Sequence, residues 1–159
     1  MRVTRLAERG DLTGVLDLYR HLNPNMPTLA EDRAEQIWVD TLSRKGIRLF
    51  VSTVEEKIVS SCLLVTAPNL MRGGAPYAFV ENVITHGDFR RQGHGRATME
   101  AALQAAWKED CGQVMLMTAR GRADPGVLRF YEGCGFLLGV KDGLLPGARI
   151  KPQRFQYSI

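Results

Sequence analysis

The stretch Arg90-Arg91-Gln92-Gly93-His94-Gly95-Arg96 concentrates the residue types that grip an anion. Glycine lets a backbone turn sharply and come close to a ligand where a Cβ would stand in the way. The stretch joins a strand-like run to a helix-like run, so the free N–H groups and positive dipole end of a helix mouth are added. Arginine forks on both sides supply counter-charge. Such a combination suits phosphate, although an ordinary strand-to-helix loop would also accommodate these residues. It is not a Walker loop, since the chain has no Gly-Lys-Ser/Thr, and the dinucleotide fingerprint fails because Thr98 stands where its third glycine belongs. Glu81 is the other residue with chemistry to offer. It interrupts the apolar run Ala78-Phe79-Val80 and Val83-Ile84, where a carboxylate is costly unless it faces a cleft or is paired. A base in a cleft and a solvent-facing strand residue both satisfy that condition.

These residues need elements to position them. Residues 2–7 predict a strand, and Gly10-Asp11 stops and caps it. Leu12, Val15, Leu16, Tyr19 and Leu22 recur at helical spacing. Pro24 and Pro27 exclude continuation. Thr28 with Glu31 has the form of a capping box for a second helix, with Ala30, Ala34, Ile37, Trp38 and Leu42 as its buried face. Ile47–Val54 and Lys57–Thr66 flank the polar turn Glu55-Glu56 and predict a hairpin. A loop over 68–74 leads to a long strand, Ala75–Thr85. A helix follows from about Gly95 to Lys108, with Met99, Ala102, Leu103 and Ala106 on one face, and then an apolar strand, Gln113–Ala119. Asp124-Pro125 reads as a cap with proline at the first helical position. The helix it opens runs through Tyr131 and is stopped by Gly133 and Gly135, and residues 136–141 and 153–159 supply final strands. Strand–helix–strand units late in the chain and a hairpin early predict one mixed α/β domain over 1–159, its twisted sheet partly parallel and covered by helices on both faces.

Composition narrows the function. A chain of 159 residues can bury a core without disulfides or metal. Cys62, Cys111 and Cys134 are odd in number and lack C-x-x-C spacing, which predicts a reduced compartment, the cytoplasm. The N-terminus has no apolar stretch after its arginines, and no run reaches the roughly 20 apolar residues needed to cross a bilayer. The net charge of +4 attracts anions, with phosphorylated cofactors, acidic substrates and nucleic acid all open on charge alone. His21, His86 and His94 show no metal spacing with the cysteines, so no catalytic metal is expected.

Arg90-x-x-Gly93-x-Gly95, after the strand Phe79–Thr85, resembles the coenzyme A-binding motif of the GNAT N-acetyltransferase superfamily. Phe130-Tyr131-Glu132-x-x-Gly135-Phe136 resembles its second signature. Each pattern is short, but both together, in order and in the right elements, are specific. The resemblance covers about residues 75–140. It implies that the backbone amides of Arg91, Gln92, Gly93, His94, Gly95 and Arg96 hold the pyrophosphate of acetyl-CoA, with the side chains of Gln92 and His94 dispensable. It further implies that the pantetheine arm pairs with Val83, Ile84 and Thr85, and that this strand diverges from Gln113–Ala119 to leave a cleft.

The chemistry so implied is transfer of an acetyl group to an amine. An alkyl amine with a pKa of about 10.4 leaves roughly one molecule in a few thousand nucleophilic at neutral pH, so a base is needed, and the resemblance places a glutamate near Glu81. The tyrosine matched by Tyr131 lies near the coenzyme A sulfur in the family, where a phenol can donate to a thiolate; packing alone would also explain an aromatic there. The N–H of Val83 or of Ile84 polarises the thioester. Many members carry asparagine where this chain has Asp124, and a carboxylate cannot donate that amide's hydrogen bonds. His86 reads as a solvent-facing loop residue rather than an auxiliary base, and Cys134 as a small packed residue rather than a nucleophile. His21, Asn23, Asn69 and Arg72, in the loops on the open side of the cleft, are the candidate acceptor contacts.

The acceptor could be a small-molecule amine or a peptide N-terminus, and the motifs also bear some similarity to glucosamine-phosphate acetyltransferases. Association with a second copy stays open. A coenzyme A-binding sensor would need neither Glu81 nor Tyr131. A basic nucleic-acid binder would need a recognition helix or aromatic platform that the sequence lacks, and neither nucleic acid nor membrane is an expected partner.

Overall fold

The computed structural model describes residues 1–118 and 125–139. Among these residues five strands form one sheet in the order β1 (Arg2–Leu6), β2 (Ile47–Val54), β3 (Lys57–Ala67), β4 (Tyr77–Thr85), β5 (Gln113–Leu116). The first three pairings are antiparallel and β4–β5 is parallel. That last pair needs a crossover, which α3 (His94–Lys108) provides. Helices α1 (Leu12–Leu22) and α2 (Glu31–Ser43) precede the hairpin, and α4 (Pro125–Gly133) follows β5.

Two apolar clusters fix which helix covers which face. Val15 and Leu18 of α1 and Trp38 of α2 pack with Leu49, Val51, Ile58 and Ile84. Met99, Ala102 and Ala106 of α3 pack with Phe50, Cys62, Leu64, Ala78 and Val80, joined by Phe130 and Tyr131 of α4. Helices therefore flank the sheet on both sides, as the order of elements predicts. The β2–β3 turn is closed by Glu55 and Glu56, both at positive φ (48° and 69°), a hairpin geometry usually left to glycine and asparagine. Here the long, buried flanking strands impose it.

The N-terminus of α2 differs from expectation. The helix begins at Glu31, after an extended Ala30, and takes no side-chain cap from Thr28. Acidic Glu31 and Asp32 in its first turn meet the exposed N–H groups instead, and Arg33 N donates to Asp32 Oδ1 at 2.8 Å. On its buried face Ala34 and Trp38 are covered, but Ile37 is 40% exposed and Ala30 is exposed. β5 ends at Leu116, short of Ala119, and 136–139 form no strand; the remaining expected strand residues lie outside the described residues. No helix among the described residues is long and apolar enough to cross a membrane.

Candidate active site

β4 does not run straight. Opposite β3, Ser61 pairs with Ile84 but Leu63 pairs with Glu81, so β4 carries one residue more than its partner. The extra residue makes a bulge at Asn82, which adopts φ 49°. The bulge reverses the alternation of faces: Val80 belongs to the α3-side cluster and Ile84 to the α1-side cluster, although an even spacing should keep them together. Val83 packs with Val80 on the α3 side. Glu81, next to Val80 and paired with Leu63 of the α1-side cluster, faces the other way and is half-buried.

The sheet also splits here. β4 pairs with β5 only from Tyr77↔Gln113 to Val80↔Leu116, so Glu81–Thr85 have no β5 partner among the described residues. His86 N donates to Val59 O at 2.9 Å, and Ile84 O accepts from Ser60 Oγ at 2.8 Å. Residues 84 and 86 thus turn their backbone groups toward β3, and by alternation Val83 and Thr85 turn theirs toward the gap. A free strand edge in a cleft can take an extended ligand.

The gap leads to the glycine loop. Arg91 (φ 60°) and Gly93 (φ 85°) are both left-handed, which bends the chain into the mouth of α3 with Gly93 at its cap position. Gly95 is required for space: a Cβ there would stand 2.8 Å from Thr85 Oγ1 and 3.6 Å from Phe130 Cζ. This cradle fits a diphosphate, with bared main-chain donors and exposed Arg90 and Arg91 beside them. Arg90 Nε donates to Thr85 O at 3.3 Å, and Arg96 Nη1 ties the loop helix to α4 through Gly133 O at 3.0 Å.

His94 corrects the expectation that its side chain is dispensable. The ring is 4% exposed, and its Nδ1 lies 2.9 Å from buried Ser52 Oγ. Burial, then nearby Arg2, pulls its pKa down. The sequence held a signal for this, because His94, Thr98, Ala102 and Ala106 form a stripe at four-residue spacing. Gln92 donates to Asp88 O at 2.9 Å.

α4 delivers Tyr131. Gly135 (φ 91°) closes the helix, with Phe136 N donating to Tyr131 O at 3.0 Å and Gly135 N to Glu132 O at 2.9 Å. These are the two bonds of a Schellman cap. Its hydrophobic contact is Tyr131 on Phe136, ring centroids 6.1 Å apart. The second sequence signature is therefore a helix stop that fixes the ring of Tyr131. The phenol's pKa is pushed up to about 12, first by burial, then by Cys62, Cys134 and Glu81. The pKa of the buried Cys62 thiol beside it is also pushed up to about 12, chiefly by burial.

The predicted acceptor contacts do not converge on Glu81. His21 Nε2 accepts from Gly87 N at 3.0 Å, and its ring stacks on His86 at 3.7 Å. His86 is accordingly half-buried rather than solvent-facing, with its pKa lowered first by burial, then by His21 and Lys57. A groove of about 700 Å³ opens beside this stack along α1, bounded by Leu18, Lys57 and Ile58; Glu81, Val83 and Tyr131 are not in its wall. Asn23 caps α1, and its Oδ1 is buried with no hydrogen-bond partner among the described residues. Asn69 Oδ1 accepts from Met71 N within its own loop, and Arg72 is exposed beyond the Tyr77 end of β4. Asp124 lies outside the described residues. Among the described residues no cluster of His, Cys, Asp or Glu could hold a metal ion.

A split sheet, a bulged strand and a glycine-bared helix mouth define the class: an α/β domain with an open strand edge that leads to a loop suited to an anion. Comparison makes the class particular. Residues 15–136 match the family model described as Acetyltransferase (GNAT) family, and the chain belongs to that family. A putative acetyltransferase from Agrobacterium tumefaciens str. C58 superposes with a TM-score of 0.84 at 39% identity, covering 91% of this chain and 99% of its own. Glucosamine 6-phosphate N-acetyltransferase of Trypanosoma brucei brucei is 28% identical over 134 residues, 83% of this chain and 86% of that protein. An aminoglycoside N-acetyltransferase in complex with CoA shares the fold (TM-score 0.77, 14% identity, 94% and 96% covered). The protein is an N-acetyltransferase, and acetyl-CoA is its acetyl donor.

Proposed function

We propose that the whole chain acts as one domain that moves the acetyl group to a primary amine by direct attack, with both substrates bound at once. The bulge at Asn82 carries the reading. Glu81 lies on the sheet face covered by α1 and α2, and Val83 on the face of α3 and α4, where β5 has stopped pairing. An amine entering from the first face and a thioester lying along the second meet at the gap. No covalent acetyl-enzyme is needed, and the pKa of half-buried Cys134 is raised, chiefly by burial, which leaves it a poor nucleophile.

Acetyl-CoA supplies the activated acetyl group. The main-chain N–H groups of Arg91–Arg96 hold its diphosphate, with Arg90 completing the cofactor contacts, and the edge of Val83, Ile84 and Thr85 holds its arm. Glu81 takes the proton of the amine, directly or through water. The Val83 N–H donates to the thioester oxygen as charge gathers there, and the alternation of β4 favours it over Ile84. Tyr131 donates to the departing sulfur. A phenol at about 12 is a weak acid toward an ordinary thiolate of about 8.5. It therefore acts as a hydrogen-bond donor to the developing thiolate rather than by complete proton transfer.

A phosphorylated amino sugar leads the acceptor panel, because the relative named for glucosamine 6-phosphate covers most of this chain. The panel also holds free glucosamine, an aminoglycoside and peptide N-termini, with thiol release and product mass as readouts. Acetyl-CoA binding with no acetylated product from any amine would leave a sensor instead.

A further inference from the structure

The bulge is itself held, by residues outside the proposed substrate contacts. Ser60 and Ser61 are neighbours on β3, and both are fully buried. Ser61 Oγ donates to Asn82 O at 3.3 Å, and Ser60 Oγ donates to Ile84 O at 2.8 Å. The carbonyls on either side of Val83 are thus each tied by a hydroxyl to β3. Ser60 gives its proton to Ile84, so Thr85 Oγ1, 3.0 Å away, is the donor to Ser60.

This support has something to hold. The left-handed conformation costs a non-glycine residue about 1–2 kcal/mol, and Asn82 sits in it at φ 49°. Asparagine tolerates that region better than most residues, but a relaxed, extended Asn82 would erase the bulge. Val83 would then rotate out of the gap.

We infer that Ser61 is a positioning residue that keeps Asn82 left-handed and so aims the Val83 N–H into the cleft between β4 and β5. The inference rests on the proposed role of the Val83 N–H. The test compares Ser61→Ala, Ser61→Cys and the double variant Ser61→Ala/Asn82→Gly with the wild type. It uses steady-state kinetics, the backbone coupling constant of residue 82 by NMR, and thermal unfolding. Ser61→Ala should lower kcat about tenfold with the KM for acetyl-CoA within twofold, a loss of one aimed donor rather than of binding. Adding Asn82→Gly should recover most of that loss, because glycine holds positive φ unaided. A change in packing alone would lower the unfolding temperature without that rescue. If Ser61→Ala does not fold, Ser61→Cys, which keeps the shape of the side chain but donates weakly, carries the kinetic test with the same expected direction. An altered coupling at residue 82 with unchanged kcat would remove the Val83 donor and the inference with it. An unaltered coupling, or a loss of kcat that Asn82→Gly leaves in place, would remove the clasp.

Discussion

Replacing Tyr131 with phenylalanine isolates one atom of the proposed mechanism. The ring is fixed by the Schellman cap and by contacts with Phe130 at 5.3 Å and Phe136 at 6.1 Å, so Tyr131→Phe removes the hydroxyl and little else. Two magnitudes bound the effect. A hydrogen bond to a charged sulfur is worth about 1.5–3 kcal/mol, or about 10- to 150-fold in rate. Full proton transfer as a general acid contributes about 10²- to 10⁴-fold. The phenol raised to about 12 makes complete transfer the harder of the two. The overlap of the two ranges, a fall in kcat of about 100-fold, is the expected result. The assay is release of free thiol at saturating acetyl-CoA, with unfolding temperature and acetyl-CoA affinity as controls that should barely move. The high pKa adds a condition on the wild type: Tyr131 stays protonated throughout the working range, so it cannot produce a basic limb below pH 10. A kcat within twofold of wild type, or a basic limb below pH 10 that Tyr131→Phe abolishes, would refute the reasoning.

Other perturbations reach the rest of the site. Glu81→Gln should lower kcat by about 10²-fold or more and flatten the acidic limb of the pH–rate profile; a retained limb would assign the base elsewhere. Gly95→Ala drives a Cβ to 2.8 Å from Thr85 Oγ1. It should cost about 1–3 kcal/mol of stability and weaken acetyl-CoA binding in calorimetry, and unchanged affinity would detach the loop from the diphosphate. His94→Ala should destabilise the fold by about 2–4 kcal/mol in urea titration, since it leaves the buried Ser52 hydroxyl and a hole behind. His94 and His86 both have lowered pKa values in the folded state. The unfolded chain therefore binds more protons just below about pH 6.5. Their contribution is present in full above that pH and is lost as pH falls through the folded values. Wild-type stability should decline on acidification from pH 7 to 5.5, and His94→Gln should decline less steeply.

The parts of the fold that obey local periodicity were legible. The hairpin, the strand–loop–helix of β4 and α3, and the proline-led α4 all appear within a few residues of their expected ends. What the residues alone could not supply was phase. A single inserted residue at Asn82 reverses which side chains face which helix, and asparagine inside an apolar run is the only trace it leaves. His94 was misjudged for a related reason: its place inside a phosphate-loop pattern suggested a backbone role, while its place on the buried stripe of α3 assigned the ring to the core. The capping box at Thr28 failed because capping patterns are short, and the acidic first turn at Glu31 and Asp32 satisfied the helix without one. His21 fell in an acceptor-side loop yet serves to tie α1 to the start of the cofactor loop through Gly87 N, a long-range bond that no local spacing announces.

In the proposed mechanism, phase also lets one strand serve two substrates. In an unbulged strand Glu81 and Val83 would project to the same face, and base and thioester would compete for one side of the sheet. The extra residue separates them by a sheet thickness while keeping them adjacent along the chain. Among the described residues, the end of β5 pairing at Leu116 opens a plane in which the two can meet. Bulge and split are therefore useful only together: the bulge without the gap would bury the Val83 N–H against β5, and the gap without the bulge would crowd both substrates onto one face. The buried hydroxyls that tie down the carbonyls of Asn82 and Ile84 guard the feature on which that division depends.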